Sequence, residues 1–363
     1  MSEKPSSVHY INYLSLDKVL DAQNLVSKEK SKEAHDEMLF IIIHQVYELW
    51  FKQILHELDS VLIVFNKESI VESDISLSVL RLSRIIEIQK ILIDQIRVLE
   101  TMTAMDFLEF RDDLFPSSGF QSSQFRILEN KLGLLKKDRV RYGSSDYKVA
   151  IADSEKNIVE KSESDKSLFR LLEIWLQRTP FLTFEGFNFW DQYTSAVRSM
   201  LEREKVVIEN NSNYNHKEID YHLQEHQRAV NSFEAMIDPK KHNQLIKDGK
   251  KRFSHKATQA ALLIFLYRDE PILHSPFNLL SRLIDMDELF TAWRHRHAIM
   301  VRRMIGAKIG TGGSSGHAYL QATANKHKVF SELADLSTFF IPRSALPQLP
   351  RNIKNNLGYH FKL

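Results

Sequence analysis

The sequence predicts an all-α fold: a helical, bundle-like domain preceded by an N-terminal arm, with no significant sheet. Three observations carry this expectation. Glycine and proline are scarce, 11 and 9 in 363 residues, while Leu, Ile, Glu, Lys and Arg are abundant. Apart from Ile, these abundant residues lose little side-chain freedom in a helix. Long segments repeat apolar residues at intervals of three and four, the helical spacing. No segment alternates apolar and polar residues at the period of two that a half-buried strand needs.

Residues 1–35 read as the arm, with a weak helix over Leu16–Val26. Tyr10 and Tyr13 precede that helix with no local core to join. The main domain is expected over residues 36–363. Its first long helix spans Asp36–Phe65, where Phe40, His44, Tyr47, Phe51, Leu55 and Leu58 form one stripe. Glu48 and Lys52 pair at i,i+4 on the polar side. A second helix over Ser76–Asp113 must end near Pro116, whose ring cannot continue it. SSGF makes a turn, and a helix over Gln121–Leu132 is closed by Gly133. Residues 136–165 are charged, Ser-rich and without apolar periodicity, and are expected to be a mobile excursion.

A helix from Leu168 stops before Pro180, and residues 186–236 read as one long polar helix. Residues 239–256 are Lys-rich, a loop or short helix, and Ala257–Tyr267 is a buried helix. Pro271 and Pro276 bracket a turn before the helix that carries Leu279 and Leu280. Asp285 with Glu288 resembles a capping box for the helix through His297, and Gly306 suits its end.

Composition excludes several functions. The net charge of +2 gives no basic field for nucleic acid. The absence of cysteine removes disulfides, thiolate zinc sites, iron–sulfur clusters and thiolate-bound haem. The longest apolar run, Ala260–Tyr267, is far too short to span a bilayer, and MSEKPSSVHYINY lacks a signal-peptide core. The expected location is the cytoplasm.

The stretch WRHRHAIMVRRMIGAKIGTGGSSG, Trp293–Gly316, carries the strongest chemical signal. Five of the chain's glycines lie between Gly306 and Gly316, marking backbone that turns sharply or admits close approach. It lacks the GK[ST] ending of a phosphate loop, so a flexible lid fits better. His297 lies in an apolar stripe with Phe290, Trp293, Val301 and Met304, and His44 in another. Either alone reads as a hydrogen-bonded core histidine. Two on separate long helices suggest a planar cofactor held between them. Arg111, in a last helical turn near Phe107 and Phe110, either pairs with Asp112 or Asp113 or forks a carboxylate. A rival motif, His222-Leu-Gln-Glu-His226, matches the HxxEH zinc-peptidase pattern, with Glu225 to polarise water. Its flanks are polar nearly all round, so a solvated helix face is the stronger account.

HDEMLFIIIHQVYELWFKQILHELDSV, LETMTAMDFLEFRDDLFPSSGFQSSQFRILENKLG, WLQRTP and WRHRHAIMVRRMIGAKIGTGGSSGHAYL together closely resemble the tryptophan 2,3-dioxygenase family, from Tyr10 to about Pro347. The resemblance implies an all-helical homotetramer with haem b, ferrous when active. It implies a reaction that adds O2 across the indole C2–C3 bond of L-tryptophan to give N-formylkynurenine, the first step of the kynurenine route. Carried over by position, His297 is the axial iron ligand and His44 the distal histidine that accepts from the indole N–H. Phe40 packs on the indole, Arg111 pairs with the substrate carboxylate, and Thr311 helps hold the ammonium. Ser118 and Gly119 fall beside the distal pocket, and Tyr10, Tyr13 and Leu14 reach into the neighbouring subunit's site. Met38 departs from the histidine of some members, but lies off the face that carries His44. A haem sensor or carrier is the other alternative, and the Arg111–Thr311 clamp argues against it.

Overall fold

The computed structural model describes residues 8–140, 146–180, 182–184, 186–310 and 316–357. The arm carries three short helices, α1 (Tyr10–Leu14), α2 (Leu16–Val19) and α3 (Val26–Glu29). The body follows with α4 (Glu37–Phe65), α5 (Glu72–Leu99), α6 (Ala104–Arg111), α7 (Ser123–Leu132), α8 (Asp153–Ser164) and α9 (Leu168–Gln177). A two-stranded hairpin, β1 (Thr183–Phe184) and β2 (Phe187–Asn188), leads into α10 (Phe189–Glu209), α11 (His216–Ile237), α12 (Pro239–Lys247) and α13 (His255–Leu266). Next come α14 (Pro271–Ile305), α15 (His317–Lys326), α16 (Ser331–Asp335) and α17 (Arg351–Leu357). The all-α expectation holds, and this hairpin is the one sheet among the described residues.

The core is a seam. α14 lies along α5, and α5 along α4, with α7, α9 and α13 packed around them. Leu58, Leu82, Leu92 and Leu280 are fully buried there, each contributing about 1.5–3 kcal/mol by leaving water. Two polar contacts fix the register. Gln89 Nε2 donates to the Met286 carbonyl at 2.9 Å, and Tyr47 Oη donates to the Leu92 carbonyl at 2.8 Å. Buried Glu37 accepts from the Val26 and Ser27 amides at 2.9 and 3.0 Å, which moors the arm's last helix to the start of α4.

Several boundaries differ from the sequence expectation, each for a local reason. The single helix over Ser76–Asp113 is two. Thr103 caps α6 by accepting from the Asp106 amide, and Asp106 accepts in turn from the Thr103 amide at 2.9 Å. This reciprocal cap restarts the helix after Leu99. The polar helix over 186–236 also breaks, because Asn215 and Glu218 cap each other to begin α11. Pro271 and Pro276 do not bracket a turn. Pro271 begins α14 and Pro276 lies inside it, where burial of Leu273, Leu279, Leu280 and Leu283 outweighs one missing ladder bond. Asp285 consequently sits mid-helix, paired with Arg282 at 2.8 Å rather than capping.

The arm helix expected over Leu16–Val26 stops at Val19. Within 136–165, where no helix was expected, α8 packs on α7 through fully buried Val159, and Ser162 Oγ accepts from Asn130 Nδ2 at 3.0 Å. Gly133, by contrast, closes α7 as expected, at φ 116°. An added Cβ there would lie 2.7 Å from that of Phe169.

Leu92→Ala is expected to lower stability by about 2–5 kcal/mol, since it opens a cavity in the α4–α5–α14 seam. The denaturant midpoint measures this.

Candidate functional site

One cavity of about 600 Å³ opens between the seam and α6, α7 and α15. Its walls are largely apolar: Phe40, Phe51, Phe107, Phe125, Trp293, Met300 and Met304 all border it. That size and lining suit a ligand of drug or cofactor dimensions.

His297 comes from α14, one face of which is committed to α5, and its imidazole borders the cavity from a neighbouring face. Trp293, one turn earlier, lies parallel to it with ring centroids 5.8 Å apart. His297 is half-buried because it borders the hollow, yet it sits deep within the protein. Burial first, and nearby His44 second, bring its pKa down to about 4. The ring is therefore neutral at pH 7 and has a nitrogen lone pair to offer a metal.

His44 projects from α4. Its Nδ1 stands 2.7 Å from the Phe40 carbonyl, which can only accept, so Nδ1 carries the proton. When the ring is neutral, Nε2 is left as an acceptor. Burial also lowers the His44 pKa, against the Phe40 carbonyl and the charge of Glu48, which pull it up. Its remaining surface is reached through the cavity and a shallower groove beside α2. Phe40 packs on His44 with centroids 4.1 Å apart, and Phe107 and Phe110 stand behind it at 5.7 and 5.6 Å.

Arg111 ends α6 at the cavity rim. Nη1 donates to exposed Asp112 at 3.1 Å and Nη2 to the Ile309 carbonyl, while buried Nε has no partner among the described residues. Asp113 is held instead by Lys30 at 2.6 Å. An exposed pair with Asp112 is weak, so the guanidinium is free to turn to a better acceptor. Ser118 and Gly119 border the same rim, where a Cβ added to Gly119 would meet nothing within 4 Å.

The structure thus brings together His297, His44, Phe40, Arg111, Ser118 and Gly119. Thr311 lies outside the described residues. Tyr10, Tyr13 and Leu14 lie on α1, exposed and away from their own chain's cavity. At the HxxEH motif the structure fits the solvated helix face rather than the rival zinc site. His226 Nε2 donates to the Leu201 carbonyl at 2.9 Å, His222 stacks on Tyr214 and Glu225 pairs with Arg228. No group of three metal-ligating side chains occurs among the described residues.

The sequence reading missed the charged end of the cavity, formed by Arg126, Glu129, Arg294 and His327. Arg126 and Glu129 share a helix face at i,i+3, and Arg294 lies one turn before His297. That spacing was visible, but the partners come from α7 and α14 and from just after α15, and one helix could not show their meeting.

Fold and site together define a class: a helical protein around one large apolar cavity, with a neutral imidazole on each of two wall helices and a guanidinium at the rim. Comparison with known proteins narrows this. The tryptophan 2,3-dioxygenase family model matches residues 2–340. The tryptophan 2,3-dioxygenase of Bdellovibrio bacteriovorus is 48% identical over 354 residues, covering 98% of this chain and 99% of that one. That of Dictyostelium discoideum is 45% identical over 357 residues, covering 98% and 89%. That of Alteromonas mediterranea is 42% identical over 362 residues, covering all of both chains. The chain belongs to the tryptophan 2,3-dioxygenase family.

The His297 shift has a sign that can be tested in the cofactor-free protein. Unfolded, the ring takes its proton near pH 6.5, and folded near 4. The unfolded state therefore binds more protons between those values, and stability falls as pH drops through that window. His297→Gln is expected to lose less stability than the parent between pH 7 and 4.5, measured by urea midpoints at each pH.

Proposed function

We propose that the cavity takes haem b, with His297 as axial ligand, and that L-tryptophan binds on the His44 side. The reaction is the family's oxidation of tryptophan to N-formylkynurenine. The observation that carries this reading is the pair of neutral imidazoles bordering one apolar cavity, with the unpartnered Arg111 Nε at its rim. The donor set fits haem: a neutral imidazole as ligand, with apolar and aromatic walls for a flat macrocycle. When bound, ferrous haem supplies the activation of O2 that a closed-shell indole requires.

The chain's own residues bind and orient. His44 keeps its proton on Nδ1, so its Nε2 accepts the indole N–H and fixes that edge of the ring. Phe40, backed by Phe107 and Phe110, gives the indole an aromatic face to pack on. Arg111 exchanges Asp112 and the Ile309 carbonyl for the substrate carboxylate, a charge-assisted and bidentate partner. Thr311 assists at the ammonium. Holding the indole and amino-acid ends separately selects the L-enantiomer and places C2–C3 in one position, which lowers the barrier through orientation. The apolar walls exclude water from that position.

We also infer a homotetramer in which Tyr10, Tyr13 and Leu14 complete a neighbouring chain's site. Exposed aromatics on a moored arm, and exposed Met38, Ile42 and Leu49 on α4, support this assembly. No described helix is long and apolar enough to cross a bilayer.

Purified protein supplied with haem, reduced and mixed with L-tryptophan and air should develop the ultraviolet band of N-formylkynurenine. Haem without product would make it a carrier or sensor, and no haem at all would sink the His297 assignment. Arg111→Leu should raise KM for tryptophan by roughly 30-fold or more, because losing one partner of a buried charged pair costs about 2–5 kcal/mol. His44→Ala should lower kcat and keep haem, whereas loss of haem would make His44 a ligand. Deleting residues 1–14 should raise KM while leaving the melting temperature unchanged, as their helix buries nothing in its own chain.

A further inference from the structure

Glu129 on α7 is buried, and both its oxygens are taken. Oε1 accepts from Arg294 Nη2 at 3.0 Å and His327 Nδ1 at 3.2 Å, and Oε2 from Arg126 Nη1 at 2.9 Å and Arg139 Nη1. That fills the four acceptor positions of a carboxylate. Burial works against the charge, but Arg126, Arg139, His327 and Arg294 outweigh it and hold Glu129 ionised. His327 is neutral in this setting: Nδ1 donates to Glu129, and Nε2 accepts from the Val140 amide at 3.0 Å. Three guanidiniums therefore face one carboxylate, an excess of two positive charges within the cluster.

The three arginines differ in what they have left. Arg294 gives its other Nη to the His327 carbonyl, and Arg139 gives Nη2 to Asn130 Oδ1. Arg126 gives one Nη to Glu129 and borders the cavity, and its remaining donors meet no acceptor among the described residues.

We propose that Arg126 is a second carboxylate-binding residue of the cavity, separate from Arg111, and that Glu129 is its positioning residue. Glu129 holds one edge of the guanidinium, so the other edge is presented to the ligand with its orientation already fixed. An excess of buried positive charge makes an anionic partner favourable at that end, and a carboxylate matches the guanidinium fork. The carboxylate belongs either to haem or to the amino-acid substrate. The inference rests on the haem reading above.

The test compares Arg126→Leu, Arg126→Lys and Glu129→Gln with the parent, each loaded with haem or haem dimethyl ester. The rate of haem transfer to apomyoglobin and KM for L-tryptophan are measured. If haem supplies the carboxylate, Arg126→Leu releases haem about tenfold faster, the loss expected for a charge-assisted bond. The ester, which lacks carboxylates, then leaves parent and variant at one rate, and Arg126→Lys recovers part of the loss. If the substrate supplies it, KM rises by a similar factor and haem release is unchanged.

Glu129→Gln should move the same quantity in the same direction, and add nothing in the Arg126→Leu background, because it acts through Arg126. Should Glu129→Gln not fold, Glu129→Asp withdraws the same charge by one methylene. Unchanged haem release and unchanged KM in folded Arg126→Leu would overturn the subsite. A Glu129 variant that lowers only the melting temperature would reduce Glu129 to a structural role. A parent that binds no haem would fail the underlying reading instead.

Discussion

Everything around the cavity hangs on the seam between α5 and α14. α14 must bury one long face against α5, and that commitment points its neighbouring face, with Trp293, His297 and Met304, at a space no other helix fills. The seam is apolar and therefore indifferent to small sliding motions. Its register is set by a directional contact instead, Gln89 to the Met286 carbonyl, while Asp287 ties α14 to the amides of Val329 and Phe330 at 2.9 and 3.1 Å, just before α16. A slip of one helical residue would rotate His297 by about 100°, away from the hollow.

The polar groups in this interior serve two distinct ends. Asp287, buried, and Glu332, half-buried, are carboxylates whose pKa is raised by desolvation, and each accepts from two backbone amides at the start of a segment that no helix ladder satisfies. They are anchors. His44, His297 and Arg111 differ in having a lone pair or a donor left over. A buried polar atom without a partner is costly, and Arg111 Nε is such an atom at the cavity rim, where a ligand would relieve it.

Much of this was legible in the sequence, because helix periodicity reports which face is buried. The stripe Phe40–His44–Tyr47–Phe51 became one wall of the cavity, and the stripe through His297 another. What periodicity could not report was the competition between local signals. Thr103 and Asp106 form a capping box inside a segment whose apolar rhythm continues past it, and the cap won. Pro276 reads as a breaker, yet burial of α14 overrode it. α8 was missed because only one side of it meets the core, through Val159 and Ser162 on an otherwise charged helix. At the site, side chains with one strong chemical identity were found, whereas the Glu129 cluster was not. Its members are ordinary in isolation and gain meaning only when distant segments meet.

Those meetings set the order in which the molecule can be made. The Glu129–Arg294 contact closes over 165 positions, and the Glu129–His327 contact over 198. Contacts of such sequence separation form late, since the entropy of closing a long loop is lost before they return anything. During synthesis, α4 and α5 can pair early as a hairpin, but the wall that carries His297 has not yet left the ribosome. The cavity thus cannot close until α14 and α15 have been made. Whatever occupies it is captured by a nearly finished chain and cannot template the earlier steps.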